Sequence, residues 1–335
     1  MSVRTAIIGA TGALGQELFA ALAEVAREGE LDLEPPVLCT TGRTAGEPFA
    51  WLEEDEEVAV EPFGPAALRG CSYALVAVPA AAATGVVATL QQLGMATVDA
   101  SRAHRQTAPL FFDLRPPPLA GVGLVALPSP EALMLARVVA ALDDLDPRRV
   151  SATVLRAASA AGQAGVSELA EATGLLLNGQ EPPAPKLGHR LAFNLVPQAG
   201  PFDGADAQAE RDLALELPAL CGRPLAVAST IAYGPWFYGH FATVSLSFGR
   251  PTTAEAVRER LEAAGHVKVL DNPAEAVYPM PSLATGDDAV LVGRVRADPS
   301  DPNGVQLVVV MDAVRATAAL AVEALQALVR AREAH

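Results

Sequence analysis

The sequence predicts an α/β protein in two parts: a doubly wound parallel sheet, then an α+β domain built on a mixed sheet. Three observations carry this. Strand and helix patterns alternate through the first 130 residues, which requires crossover connections and hence parallel strands. The stretch IIGATGALGQEL sets Gly9, Gly12 and Gly15 between the first strand and the first helix. Beyond Asp143–Arg149 the strands lengthen and alternate, as in a mixed or antiparallel sheet.

Element by element, strands are predicted at Arg4–Ile8, Pro36–Thr40, Tyr73–Val78, Ala96–Asp99 and Val122–Leu127. Helices are predicted at Ala13–Arg27, Ala81–Leu93 and Pro130–Leu142. The acidic run Glu53–Glu57 reads as a solvated loop in a hairpin-like stretch, and the proline-rich Gly179–Lys186 as an exposed loop. Longer strands follow at Val150–Arg156, Leu225–Ala232, Gly239–Phe248 and Val305–Asp312, and a periodic Ala/Leu helix at Thr317–Arg332. The expected division is residues 1–130, completed by the C-terminal segment 313–335, and residues 131–312.

Composition narrows the function. A chain of 335 residues, 51% hydrophobic and 19% charged, is long enough for two domains of a globular enzyme. A net charge of -15 argues against nucleic acid as a partner, because phosphate binding needs a basic face. Lys186 and Lys268 are the only lysines, so an anion pocket must rest on arginine. Cys39, Cys71 and Cys221 are scattered and read as buried, reduced thiols. His104, His189, His266 and His335 lack metal-ligand spacing, so no metal is expected. The first strand starts almost at Met1 and no long apolar run occurs, so no signal peptide, no membrane span and a cytoplasmic location are expected.

The glycine turn points to a dinucleotide. Its glycines let the backbone turn tightly and approach a pyrophosphate, which the helix N-terminus then stabilises. Candidate contacts are Gly9, Thr11, Gly12, Ala13, Leu14 and Gly15. An NAD site usually ends its second strand on an acid that bonds the ribose. Here CTTGRTAG offers Thr41, Arg43 and Thr44 and no acid, and an arginine suits the 2′-phosphate of NADP.

GATGALGQEL, the RTAG turn, LAFNLVPQAGPFD (191–203), YGH (238–240) and VGRVRADPSDPNG (292–304) together resemble the aspartate-semialdehyde dehydrogenase family, across nearly the whole chain. The resemblance implies a Rossmann-type NADP domain, a dimerisation and catalytic domain, a terminal helix returning to the first domain, and a homodimer. In that family a cysteine thiolate attacks a semialdehyde, hydride leaves to NADP, and phosphate releases the acyl group. His240 matches the acid/base histidine, Arg105 a phosphate-binding arginine, and Glu210 a substrate-binding glutamate.

Other family positions differ. The Asn-Pro-Asn-Cys turn falls on Leu127-Pro128-Ser129-Pro130, so Pro130 takes the cysteine position and the nucleophile is absent. The substrate-orienting glutamine falls on Arg156, the carboxylate-gripping arginine on Tyr233, and a phosphate-pocket lysine on Asp212. A nicotinamide-side asparagine falls on Ala313, and a Gly-Gly turn on Val78-Pro79-Ala80. These departures resemble the Usg-type homologues that lack the cysteine, as do FYGH, LLNG (176–179) and the run Ser159–Gly162.

Ser129-Pro130-Glu131 also reads as an ordinary helix start: serine cap, proline at the first position, glutamate facing the dipole. His240 reads as a structural or ligand-binding histidine more readily than as a catalyst. Arg105 and Arg156 could form a small-molecule anion pocket or pair with nearby acids. Trp236, Phe237 and Tyr238, close to His240, are expected to fill the space a substrate would occupy. The preferred expectation is an NADP-binding homodimer that has lost the thiol reaction and acts by binding or regulation. The alternative is an active NADP-dependent oxidoreductase that passes hydride directly to an aldehyde, with His240 as proton donor.

Overall fold

The computed structural model describes residues 2–42, 48–52, 57–183, 185 and 188–334. Arg43 and Thr44, expected at the cofactor, lie outside them, as do His335 and the acidic stretch 53–56. The elements begin with β1 (Thr5–Ile8), α1 (Ala13–Glu28), β2 (Val37–Thr40), β3 (Phe49–Ala50), β4 (Glu57–Val58) and β5 (Val60–Pro62). Next come β6 (Tyr73–Val76), α2 (Ala80–Gln92), β7 (Ala96–Asp99), β8 (Leu124–Ala126), α3 (Pro130–Ala141) and β9 (Pro147–Arg156). They continue with α4 (Gly162–Leu177), β10 (Phe202–Asp203), β11 (Asp206–Ala207), α5 (Gln208–Cys221), β12 (Ala226–Tyr233) and β13 (His240–Phe248). The last are α6 (Ala254–Glu262), β14 (Val267–Val269), α7 (Pro281–Ala284), β15 (Val290–Ala297), β16 (Gly304–Met311) and α8 (Ala313–Glu333). Two compact units result, Met1–Pro128 with Thr317–His335, and Ser129–Ala316.

The first unit holds a six-stranded sheet in the order β5-β2-β1-β6-β7-β8, with every pairing parallel. The order reverses at β1, so the carboxyl ends of β1 and β6 flank a topological switch point, the usual ligand crevice of such sheets. Ile7, Ile8, Leu38, Leu75 and Val76 are buried on strands covered on both faces, which is why these strands read as unbroken apolar runs. Each such side chain contributes about 1.5–3 kcal/mol by burial. Helix α1 stops at Gly29 in the left-handed region, where the Gly29 and Glu30 amides donate to the Ala26 and Val25 carbonyls. The C-terminal helix is fixed within this unit. Gln326 donates to Glu30 at 3.0 Å, and the Arg332 guanidinium donates to the Ser72 and Gly94 carbonyls and lies over the Tyr73 ring.

The second unit holds a mixed sheet in the order β12-β9-β13-β16-β15-β14. β12 runs parallel to β9 and β14 to β15, and the other pairs are antiparallel. Alternation divides its faces. Val150, Ala152, Val154, Ala242, Val244, Leu246, Val305, Leu307 and Val309 are buried. Ser151, Ser245 and Gln306 pair in one row of the opposite face, and Thr153, Thr243 and Val308 in the next. That face is at least partly open in the single chain, with Thr153 and Thr243 exposed.

Some expectations need correction. Cys71 is half-buried rather than buried. Phe237 and Tyr238 are exposed, Trp236 is half-buried, and the Trp236 indole N–H donates to the Gly239 carbonyl at 2.7 Å. The strand predicted from Val150 begins at Pro147, and the one predicted at Val122–Leu127 shortens to Leu124–Ala126.

Candidate functional site

Two sites arise, one in each unit. In the first, the chain leaves β1 at Gly9 with φ +95, where a Cβ would stand 2.5 Å from the Ala77 carbonyl oxygen. Only glycine is comfortable there. The Gly9 and Ala10 amides both donate to the Cys39 carbonyl, which pins the turn to the end of β2. Gly15 lets α1 approach the turn, since a Cβ there would strike the Gly9 carbonyl and lie 2.7 Å from the Ala10 Cα. Gly12 is the N-cap residue, and α1 has neither a side-chain cap nor an acid in its first turn. A positive helix end left without an internal acid fits a ligand phosphate. Thr11 is exposed, Ala13 and Leu14 are half-buried, and Thr41 is exposed just beyond β2.

Further along the same sheet edge, the buried Asp99 carboxylate accepts from the Ser101 amide at 2.8 Å and lies 2.6 Å from His104 Nδ1. The neighbouring Arg105 donates through Nε to the Leu127 carbonyl at 3.0 Å. Of the histidines set aside for lack of metal spacing, His104 therefore has a built partner. Among the described residues no group of three or more His, Cys, Asp or Glu is placed to hold a metal ion.

In the second unit, Ser129 caps α3: its hydroxyl accepts from the Ala132 amide at 3.3 Å, and Pro130 stands at the first helical position. The Ser129 amide donates to the buried Glu216 carboxylate of α5 at 2.6 Å. Glu131 does more than face the helix dipole. It is completely buried and forms an ion pair with Arg156 at the end of β9. The Arg156 guanidinium also lies 6.0 Å from the centre of the Tyr233 ring. Glu131 Oε2 has no hydrogen-bond partner among the described residues.

His240 opens β13, paired in the sheet with Met311 and only 1% exposed. Gly239 before it has φ +83, and a Cβ there would lie 2.7 Å from the Pro281 carbonyl. Neither ring nitrogen of His240 has a hydrogen-bond partner among the described residues. Burial, with the Arg156 charge adding to it, pushes its pKa down to about 3, so the imidazole is neutral at ordinary pH. Glu210 accepts from the Ala207 amide at 2.8 Å and the Ile231 amide at 3.0 Å, so both carboxylate oxygens serve the start of α5 and strand β12.

Sequence reasoning missed Glu131, Glu216 and the Asp99–His104 bond. For the last a signal existed: an acid ending a buried strand, with serine two residues and histidine five residues on.

A parallel sheet with a glycine turn at its switch point, followed by a mixed sheet, defines a two-domain α/β protein of the dinucleotide-binding type. Residues 4–153 match the family model "Semialdehyde dehydrogenase, NAD binding domain", and residues 138–316 match "Semialdehyde dehydrogenase, dimerisation domain". The chain belongs to the semialdehyde dehydrogenase family. It is 29% identical to the aspartate-semialdehyde dehydrogenase of Synechocystis sp. over 95% of this chain and 94% of that one. It is 32% identical to a USG-1 protein homolog of Pseudomonas aeruginosa, covering 95% of each. The solved structure of aspartate semialdehyde dehydrogenase II from Vibrio cholerae, complexed with ASA, superimposes with a TM-score of 0.87 at 27% identity, covering 98% of this chain and 99% of that one. Among the described residues no helix is long and apolar enough to cross a membrane.

Proposed function

We propose that this chain is a cytoplasmic, NADP-binding homodimer of the Usg type, which has lost the thiol-based semialdehyde dehydrogenase reaction and acts by binding. The observation that carries the reading is the start of α3. The resemblance assigns the family's nucleophile position to Pro130, and in the structure Pro130 is the first residue of α3, Ser129 closes the turn as a cap, and Glu131 engages Arg156. Proline has no nucleophilic atom, and the serine hydroxyl beside it already accepts a backbone amide.

NADP would be held by the Gly9–Gly15 turn and Thr41, and the sequence offers Arg43, with Thr44, as the group suited to a 2′-phosphate. When bound, it supplies hydride-transfer capacity. Dimerisation would use the open face of the mixed sheet, where Thr153 and Thr243 are exposed in the single chain and the Ser151/Ser245/Gln306 row offers hydroxyl and amide groups to a second copy. Two assays test the proposal. NADPH should bind, as read by its fluorescence, whereas aspartate semialdehyde with phosphate should give no reduction of NADP; turnover in that assay overturns the reading.

The second reading is direct hydride transfer between NADPH and an aldehyde, without a covalent intermediate. His240 is poorly suited to its proton step, being buried and neutral. Another imidazole, His104, has the oriented geometry that such a step requires.

A further inference from the structure

We propose that Asp99 and His104 form a general acid–base pair for carbonyl chemistry at the carboxyl edge of the parallel sheet, an inference that rests on the second reading above. Asp99 ends β7, and the register places it level with Val76 and Ile8, the last residues of β6 and β1. Two strand spacings put it about 10 Å from the start of the glycine turn. This is the edge at which parallel α/β sheets take their ligands.

The pair is built in layers. Asp99 has no exposed surface, and Ser101 holds its carboxylate through both the amide, at 2.8 Å, and the hydroxyl, at 3.0 Å. The carboxylate is thus anchored without help from His104. Its Oδ2 then takes His104 Nδ1 at 2.6 Å, while the His104 side chain stays 15% exposed. An ionised carboxylate only accepts, so Nδ1 must carry a proton and the exchangeable site is Nε2. Among the described residues the ring's hydrogen bond is the one through Nδ1. An imidazole fixed through one nitrogen by a buried acid, with the other left for a ligand, is the arrangement of a general acid or base.

The step balances. The carbonyl carbon gains a hydride, its donor being of the reduced-nicotinamide class, and the C=O π pair moves onto oxygen. That oxygen takes the Nε2 proton of the imidazolium, giving an alcohol and a neutral ring still bonded to Asp99. Solvent returns the proton.

The test compares wild type with His104→Asn, whose amide keeps a donor for Asp99 but has nothing in place of Nε2. NADPH-dependent reduction of aspartate semialdehyde, succinic semialdehyde and glyceraldehyde is followed in phosphate-free buffer. Wild type should turn over at least one aldehyde. The variant should lose about 100-fold in kcat, with aldehyde KM, NADPH affinity and melting temperature unchanged. In the resting protein, without cofactor, diethyl pyrocarbonate should label His104 and leave His240 unmodified. No turnover by wild type sinks the second reading itself. Equal kcat in the two proteins, or no label on His104, sinks the pair and leaves that reading standing.

Discussion

The Glu131 carboxylate and the Arg156 guanidinium form an ion pair inside the second unit, joining the first turn of α3 to the end of β9. Glu131 is fully buried and the Arg156 side chain is 16% exposed, so neither charge has ready access to water. Removing one partner from such a pair strands the other charge, which costs far more than the pair contributes net. Arg156→Met, which leaves the Glu131 carboxylate buried without this partner, should therefore destabilise the protein by about 3 kcal/mol in urea unfolding. The double variant Glu131→Leu with Arg156→Leu should recover much of that loss. An unchanged stability in Arg156→Met would show that the ion pair is not what holds Glu131 in its site.

His240 makes stability depend on pH. Its folded pKa is lowered to about 3 by burial, with the Arg156 charge as the smaller cause, against 6.5 for the exposed ring. Below pH 6.5 the unfolded chain takes up a proton that the folded chain refuses, so stability falls as pH drops toward 3. One group alone contributes a slope of about 1.4 kcal/mol per pH unit in that window. Urea unfolding of wild type and His240→Leu at pH 7, 5 and 4 isolates this group. The difference between the two should move toward the variant at each lower pH; a constant difference would mean His240 reaches a proton in the folded state.

Cys39 should be inert. It is fully buried at the end of the second strand, and burial, reinforced by Glu61 and Cys71, pushes its thiol up to about 12. The thiolate is the reactive form, so no substitute nucleophile is available there. Cys71, half-buried and also raised by burial, is more accessible. Iodoacetamide on the native protein, followed by peptide mass spectrometry, should leave Cys39 unmodified until denaturant is added.

What the sequence disclosed was what short segments decide. The glycine turn was legible because Gly9, Gly12 and Gly15 act through local backbone geometry, and the α3 cap because Ser129 and Pro130 act on their own helix. Glu131 was read as a dipole partner because its true partner lies 25 residues away and meets it only when β9 returns beside α3. The resemblance matches Glu210 to a substrate-binding glutamate, and its bond to the Ile231 amide, between residues 21 apart, was not legible in the sequence. Strands such as β14, three residues long, give too short a pattern to register and exist through pairing with β15.

The glycine turn separates folding from nucleotide binding. At Gly15 a Cβ would meet rigid backbone, the Gly9 carbonyl and the Ala10 Cα, so α1 must shift away from the turn. Gly15→Ala should cost about 1–3 kcal/mol and abolish NADPH binding with the loss of the turn. At Gly12 an added Cβ meets only the Gly9 oxygen, at 3.4 Å, which is ordinary contact, and the residue has no positive φ to defend. Gly12→Ala should stay within about 1 kcal/mol of wild type. Its methyl group projects at the helix end where a pyrophosphate would approach, so NADPH affinity should still fall, by about tenfold or more. Melting curves and fluorescence titrations on both variants give the check. If Gly12→Ala binds NADPH as wild type does, the turn is structural and the cofactor is not held there.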